Sequence, residues 1–324
     1  PPLVTHPDEV AAAVRQAVAD YRDEKPVIAC FMMARGAPEG LRLDSDRYIP
    51  SFVFPEDAVK AVAGAREYAE YRERPEGQIV RFPDIDRDAA RAFLYSSVEV
   101  SERGNWLPLE VAMRLFQMYG IPVAQTVAAA SPEEAAQSAQ RLGFPVAMKV
   151  RSTTIVHKTD VGGVALDLSS ADQVRQAYHR MEARLEALGR SHEMQGVVLQ
   201  PMVRGGQEVI VGMSQDPLFG PLVMVGLGGV QVELIKDVAF SLHPLTDLDP
   251  DRMLGQLKSL PLLTGWRGSP PRDVAALKDV LLRFSALIED FPEISEMEVN
   301  PLLVFDRGQG CAALDARIMV KQAP

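Results

Sequence analysis

The chain has 324 residues, 47% of them hydrophobic and 24% charged, which is ordinary globular composition with room for two domains. A net charge of -10, from 34 basic and 44 acidic residues, excludes a global attraction to nucleic acid or to an anionic membrane surface. Two cysteines, Cys30 and Cys311, exclude a disulfide framework and a four-thiolate zinc site, so an intracellular, cytoplasmic location is expected.

No apolar run reaches the ~18 residues that a bilayer span needs. Pro1-Pro2-Leu3 has no charged region followed by an apolar one, so no signal peptide is visible. The chain starts without Met, which suggests a fragment or a processed chain. Residues 1–30 read as a helix and then a strand, with Asp8 and Glu9 where a first helical turn favours acids. Pro26-Val27-Ile28-Ala29-Cys30-Phe31-Met32 is a short apolar run of the kind found in a parallel strand buried on both faces. A loop follows, then a second short strand over 49–54. Pro55-Glu56-Asp57 opens a helix through about Tyr71. Helix, strand, strand, helix is too little parallel sheet for an open α/β domain. Residues 1–75 therefore read as the final part of a domain. Residues 76–104 are polar and read as linker, with local helix near Asp86–Tyr95.

A new unit begins near Trp106. Val111, Leu115 and Met118 recur at helical spacing, and the helix stops at Gly120-Ile121-Pro122. Ser131-Pro132-Glu133-Glu134 is a capping-box start for a helix that ends at Gly143. Strands are expected at 144–150 and 165–168, with a helix opened by Ser170-Ala171-Asp172-Gln173 after them. Further strands fall at 197–203, 208–213 and 222–227. An amphipathic helix covers 272–291. A hairpin joins Met297–Phe305 to Cys311–Ile318 around Asp306-Arg307-Gly308-Gln309-Gly310. The whole reads as α/β and α+β.

Lys149 stands in a strand of Val, Ala and Met. Alternation puts Val146, Met148 and Val150 on one face and Ala147 and Lys149 on the other. An unpaired lysine there is costly to bury, so it is either an edge lysine reaching water or a phosphate clamp in a cleft. The segment Ser152-Thr153-Thr154-Ile155-Val156-His157-Lys158-Thr159-Asp160-Val161-Gly162-Gly163 is the densest polar cluster. Glycines let backbone N–H groups approach phosphate, and a loop histidine can carry a proton or act as nucleophile. A plain polar loop fits the same residues. In the hairpin, symmetry about Arg307/Gly308 puts Asn300 opposite Asp315 and Glu298 opposite Arg317, all on one face. Directly opposed Cβ atoms lie ~4.5–5.5 Å apart, a span one cation can bridge; an exposed polar face of an edge hairpin fits the same residues, but the apolar neighbours Leu302, Leu303, Ala312 and Leu314 favour a site. A bulge at Pro301 would shift that register. Gly226 to Glu233 is glycine-rich but not followed by a helix, so no dinucleotide fingerprint applies. Gln200 and Glu208 lie on adjacent predicted strands and could meet a ribose or a base edge. His179 and His192 lie on polar stretches, and no role is assigned to His6.

The order Lys149, His157-Lys158-Thr159-Asp160-Val161-Gly162-Gly163-Val164, Gln200, Glu208, Asp216-Pro217-Leu218-Phe219-Gly220-Pro221, Gly228-Gly229-Val230, Glu298-Val299-Asn300-Pro301 and Asp315 resembles the ATP-grasp part of the ADP-forming (NDP-forming) acyl-CoA synthetases, relatives of succinyl-CoA synthetase. The resemblance covers about 105–320, with a smaller lobe at about 122–196 inserted in a larger one. Residues 1–75 look like the end of the flavodoxin-like CoA-ligase domain that precedes ATP-grasp in fused members. The resemblance implies ATP/ADP and Mg2+ as ligands. Lys149 would hold phosphates under the Gly162-Gly163 turn, and Gln200 and Glu208 would border base and ribose. Asn300 and Asp315 would ligate Mg2+, with Glu298 near the transferred phosphoryl group. His157 matches a phosphohistidine on the ATP-grasp side. The implied partners are CoA-binding and phosphohistidine domains, in the same chain or another subunit; a homo-oligomer is compatible. Ser152-Thr153-Thr154 departs from the family's Ser-Pro-Asp, and His243 stands where Arg or Leu is usual. Some fused relatives carry a protein lysine acetyltransferase domain, which gives a second reading as a ligand-sensing region. An ATP-grasp ligase joining a carboxylate to an amine is a third.

Overall fold

The computed structural model describes residues 6–19, 25–32, 38–98, 101, 103–155, 158–228 and 236–321. It forms two units that divide between Glu76 and Gly77, each described by itself.

In the first unit α1 (Pro7–Val18) has proline in its first turn and Asp8 and Glu9 beside it. Strands β1 (Ala29–Cys30) and β2 (Ser51–Phe52) pair in parallel, Ala29 against Ser51. Helix α2 (Pro55–Arg72) follows. Ala11, Ala29, Phe31, Leu41 and Ile49 make a small core. Among the described residues the strands are two residues long rather than six or seven, and each pairs with the other alone.

The second unit contains, in order, α3 (Arg87–Ser97), β3 (Asn105–Trp106), α4 (Leu109–Met118), β4 (Val127–Ala129), α5 (Pro132–Leu142), β5 (Val146–Val150), β6 (Val164–Leu168), α6 (Ala171–Ala187), β7 (Val197–Pro201), β8 (Gln207–Asp216), β9 (Gly220–Leu227), β10 (Val238–Leu242), α7 (Asp249–Gln256), α8 (Pro261–Thr264), α9 (Val274–Asp290), β11 (Ile294–Val304), β12 (Cys311–Ala313) and β13 (Ala316–Val320). Two sheets organise it. The smaller has the order β4-β7-β5-β6 and the larger β10-β9-β8-β11-β13-β3, with β12 also on β11.

In the smaller lobe α5 and α6 cover one face of the sheet. Ala135, Ala139, Val174, Ala177 and Met181 pack on Val146, Met148, Val197 and Leu199. Both helices start on a serine. Ser131 accepts from Glu134 N and Ser170 from Gln173 N. Glu134 and Gln173 reach back to Ala130 N and Ser169 N, one residue further than a strict capping box. The sheet runs to Pro201, past the expected limit near 196, because β7 is its inner strand and pairs on both sides.

In the larger lobe α9 presents Leu277, Val280, Leu281, Phe284 and Ile288 at helical spacing to the core. They meet α4 and the inner faces of β8, β9, β11 and β13, and the Phe116 and Phe284 rings stack at 6.1 Å. Each such fully buried side chain contributes about 1.5–3 kcal/mol. Asp273 caps α9 by accepting from Ala276 N, and its other oxygen accepts from Gly308 N and Gly310 N. Those backbone donors, Gly310 first, hold its carboxyl below the usual carboxylate range. The helix thereby pins the hairpin tip.

Residues 77–98 are not a linker. Phe82, Ile85, Ala90 and Leu94 are buried in the large core. The Arg283 guanidinium lies 4.3 Å over the Phe82 ring and pairs with Asp84. Strand β10 and helix α7 are also elements that the sequence reading leaves unmarked. His243 follows β10, its ring nitrogens at 3.1 Å from Ser285 Oγ and 3.0 Å from Glu289 Oε2. Burial lowers its pKa, partly opposed by Glu289. Among the described residues no helix is long and apolar enough to cross a membrane.

Candidate functional site

The site forms where the terminal ribbon breaks. Glu298 pairs with Arg317, Val299 with Ala316 and Leu302 with Ala313, the register that symmetry about Arg307/Gly308 requires. Asn300 N donates to Asp315 O at 3.1 Å, and Leu314 N to Pro301 O at 3.0 Å. Asn300 and Asp315 are therefore opposite each other. A register shift does occur between Val299 and Leu302, but on the β8 side, so the hairpin is untouched. The strand expected at 311–318 is interrupted at Leu314 and Asp315, between β12 and β13. There Asp315 Oδ1 accepts from Ala316 N, a local bond that competes with the ladder.

Lys149 meets the break from β5. Its ammonium donates to Leu314 O at 2.7 Å and lies 3.3 Å from Asp315 Oδ2. The residue is 8% exposed. Burial lowers its pKa, opposed by Asp315 and reinforced by Lys158. Met148 and Val146 point into the α5/α6 core, so alternation sends Lys149 to the hairpin side. Gln200 is opposite Ala147 on β7 and 3% exposed. Its amide nitrogen donates to Leu314 O at 3.0 Å and to Thr126 Oγ1 at 2.9 Å. Those donors hold the break in place.

Glu298 Oε1 accepts from Asn300 Nδ2 at 3.0 Å, which puts the two side chains on one face. Among the described residues no three His, Cys, Asp or Glu side chains gather into a metal cage. Mg2+ needs none, since one or two carboxylates plus substrate oxygens suffice. Asn300 and Glu298 on β11 and Asp315 at the break opposite are hard oxygen donors, so the set fits that ion.

Glu208 is exposed on β8, opposite Leu303, and its carbonyl accepts from Gly228 N at 2.7 Å. Among the described residues no hydrogen bond or ion pair joins its side chain to the Lys149 cluster. The remaining glycine-cluster residues, from Gly229 to Glu233, lie outside the described residues, as do Val156 and His157. Gly162 turns the chain at φ +70°. At Gly163 a Cβ would sit 2.5 Å from Val150 Cγ1 and 3.0 Å from Lys158 O, so the position is closed to side chains.

The departure at Ser152-Thr153-Thr154 is braced. Ser152 Oγ accepts from Ile155 N at 3.0 Å and Thr154 N at 3.2 Å. Thr154 Oγ1 donates to Glu193, which also pairs with Arg190. Arg190 and then Thr154 hold the Glu193 carboxyl down to about 2. Arg151 Nε reaches Glu110 Oε1 on α4 at 2.6 Å, tying the end of β5 to the larger lobe.

The family model described as the ATP-grasp domain matches residues 99–320. The chain belongs to the ATP-grasp family, among the ADP-forming acyl-CoA synthetases. It is 33% identical over 314 residues to the 4-hydroxybutyrate–CoA ligase [ADP-forming] of Nitrosopumilus maritimus, covering 96% of this chain and 44% of that one. It is 37% identical over 225 residues to acetate–CoA ligase [ADP-forming] II subunit beta of Pyrococcus furiosus, covering 69% of this chain and 95% of that subunit. The chain thus spans under half of the first relative and nearly all of the second. A solved structure from Ca. Korarchaeum cryptofilum superposes with a TM-score of 0.61 at 37% identity, over 72% of this chain and all of that one. That structure is a dinucleotide-forming acetyl-coenzyme A synthetase in complex with coenzyme A and Mg-AMPPCP, its phosphohistidine segment pointing towards the nucleotide binding site. Within this ATP-grasp unit the sequence reading assigns nothing to Lys158, to Thr126 or to the Leu314 carbonyl. Lys158 could have been found as the second cation of the His157 loop. A backbone carbonyl leaves no mark in a residue pattern.

Proposed function

We propose that the chain is the nucleotide-binding, phosphoryl-transferring part of an ADP-forming acyl-CoA synthetase, which joins an acid and CoA with ATP and releases ADP and phosphate. The observation that carries this is the buried Lys149 ammonium held at the break of the terminal ribbon, 3.3 Å from Asp315. A buried cation beside hard oxygen donors is what phosphoryl transfer requires, since that reaction depends on charge neutralisation and alignment.

Lys149 would bind phosphate oxygens, and Asn300 and Asp315 would hold Mg2+, with Glu298 beside the transferred group. When bound, Mg2+ neutralises charge on the phosphate oxygens. Gly162 and Gly163 would border the phosphates and Glu208 the ribose, while Gln200 keeps the Leu314 carbonyl in place. His157 would accept the phosphoryl group: a ring nitrogen forms a bond to phosphorus as the bond to the ADP oxygen breaks. CoA-binding and phosphohistidine domains would supply the rest of the reaction, in the cytoplasm. The names of the relatives favour this reading over the ligand-sensing one.

Incubation with Mg2+ and γ-labelled ATP tests it. Acid-labile, base-stable label is expected on the wild-type chain and absent from His157→Asn. ATP that binds without leaving label, or label that persists in His157→Asn, contradicts the assignment.

A further inference from the structure

Asp315 is shared. Lys149 Nζ lies 3.3 Å from Oδ2, and Lys158 Nζ lies 3.5 Å from Oδ1. The lysine side chains are 10% and 12% exposed and the aspartate 22%. One carboxylate therefore faces two ammoniums in a largely dry place, where surplus charge is costly. Lys149 already has the Leu314 carbonyl and Asp315 Oδ2. Neutralising Asp315 does not require a second cation.

Lys158 is held there by its backbone. Gly163 N donates to Lys158 O at 2.7 Å, and Val150 N donates to Gly163 O at 2.7 Å. The turn that carries Lys158 is thus bonded to the strand end that carries Lys149. Both cations are delivered to one point by a single strand and turn. We propose that Lys158 is a second phosphate-binding cation, stored on Asp315 until a metal-bound nucleoside polyphosphate takes that carboxylate, an assignment that rests on the function proposed above. When Asp315 turns to a divalent ion, both ammoniums lose their counter-charge. Phosphate oxygens replace it, so each ammonium has an anionic partner at both stages, shared in the free chain and separate in the bound one. No bond is made or broken; only partners are exchanged.

Calorimetric titration of ATP, ADP and AMP, each with Mg2+, into wild type, Lys158→Met, Lys158→Gln and Lys158→Arg tests this. Loss of one charge-assisted contact should weaken ATP and ADP roughly 10- to 100-fold in the two neutral variants. AMP should change less than about threefold, and Lys158→Arg should recover most of the ATP affinity. Unchanged ATP affinity in the neutral variants overturns the proposal. So does equal weakening of all three nucleotides, which marks a merely structural lysine. A wild-type chain that binds none of them overturns the function and this inference together, whereas tight wild-type binding indifferent to Lys158 overturns this inference alone. Thermal unfolding of each variant identifies a folded one, and either neutral variant is sufficient.

Discussion

Lys149→Met should weaken binding of Mg2+-bound ATP by about 100-fold or more while leaving the chain folded. The ammonium is the buried charge of the site, and a charge-assisted bond to a phosphate is worth about 1.5–3 kcal/mol each time it is made. Two such contacts amount to at least the stated factor. The fold should tolerate the change for reasons visible around the side chain. Methionine has nearly the same length and is apolar, as are Val146 and Met148 on the same strand. The Leu314 carbonyl keeps its bond from Gln200, and Asp315 keeps Lys158. Removing a buried cation also removes the desolvation that lowers its pKa. Calorimetry should show the affinity loss, and thermal unfolding should show a midpoint equal to or above wild type. Nucleotide affinity that survives the substitution contradicts the role.

Asp315→Asn should act on metal dependence and on stability together. The amide still offers an oxygen but not a charge, so the Mg2+ concentration needed for ATP binding should rise at least about tenfold. ATP without Mg2+ should bind as well as to wild type or better, because both lysines are then unopposed. In the free chain those lysines face each other with no carboxylate between them. Breaking a buried pair by removing one partner costs about 3–5 kcal/mol, and partial exposure reduces that here to about 2–4 kcal/mol. Inorganic phosphate at tens of millimolar, on the order of a weak site's dissociation constant, should restore part of the lost unfolding midpoint. A variant with wild-type stability and wild-type Mg2+ dependence would remove Asp315 from the site.

The features that were legible in the sequence are those set by local periodicity. Strand alternation suffices to send Lys149 away from Met148, and counting outward from Arg307/Gly308 suffices to pair Glu298 with Arg317. The shift near Pro301 does not disturb that count because it is absorbed between β11 and β8. The linker expectation fails over 77–98 because Phe82, Ile85, Ala90 and Leu94 are scattered among Arg81, Asp84, Asp86, Arg87 and Asp88. Their burial depends on α9 and α4, which lie far along the chain. The ribbon's interruption is invisible for a different reason. Leu314 and Asp315 continue an apolar-polar alternation, and only the lysine and glutamine donors arriving from another lobe give the Leu314 carbonyl its place. Gln200 illustrates the same limit. Its residue type suggests contact with a base, and nothing in the sequence marks the bonds its amide nitrogen makes to the Thr126 hydroxyl and the Leu314 carbonyl.

The most direct measurement is a crystal structure of the chain with Mg2+ and a non-hydrolysable ATP analogue. The proposed site requires the metal on Asn300 and Asp315, the terminal phosphates against Lys149, and Asp315 withdrawn from the lysine ammoniums. An analogue bound elsewhere, or phosphates seated away from Lys149 while it still pairs with Asp315, would contradict it.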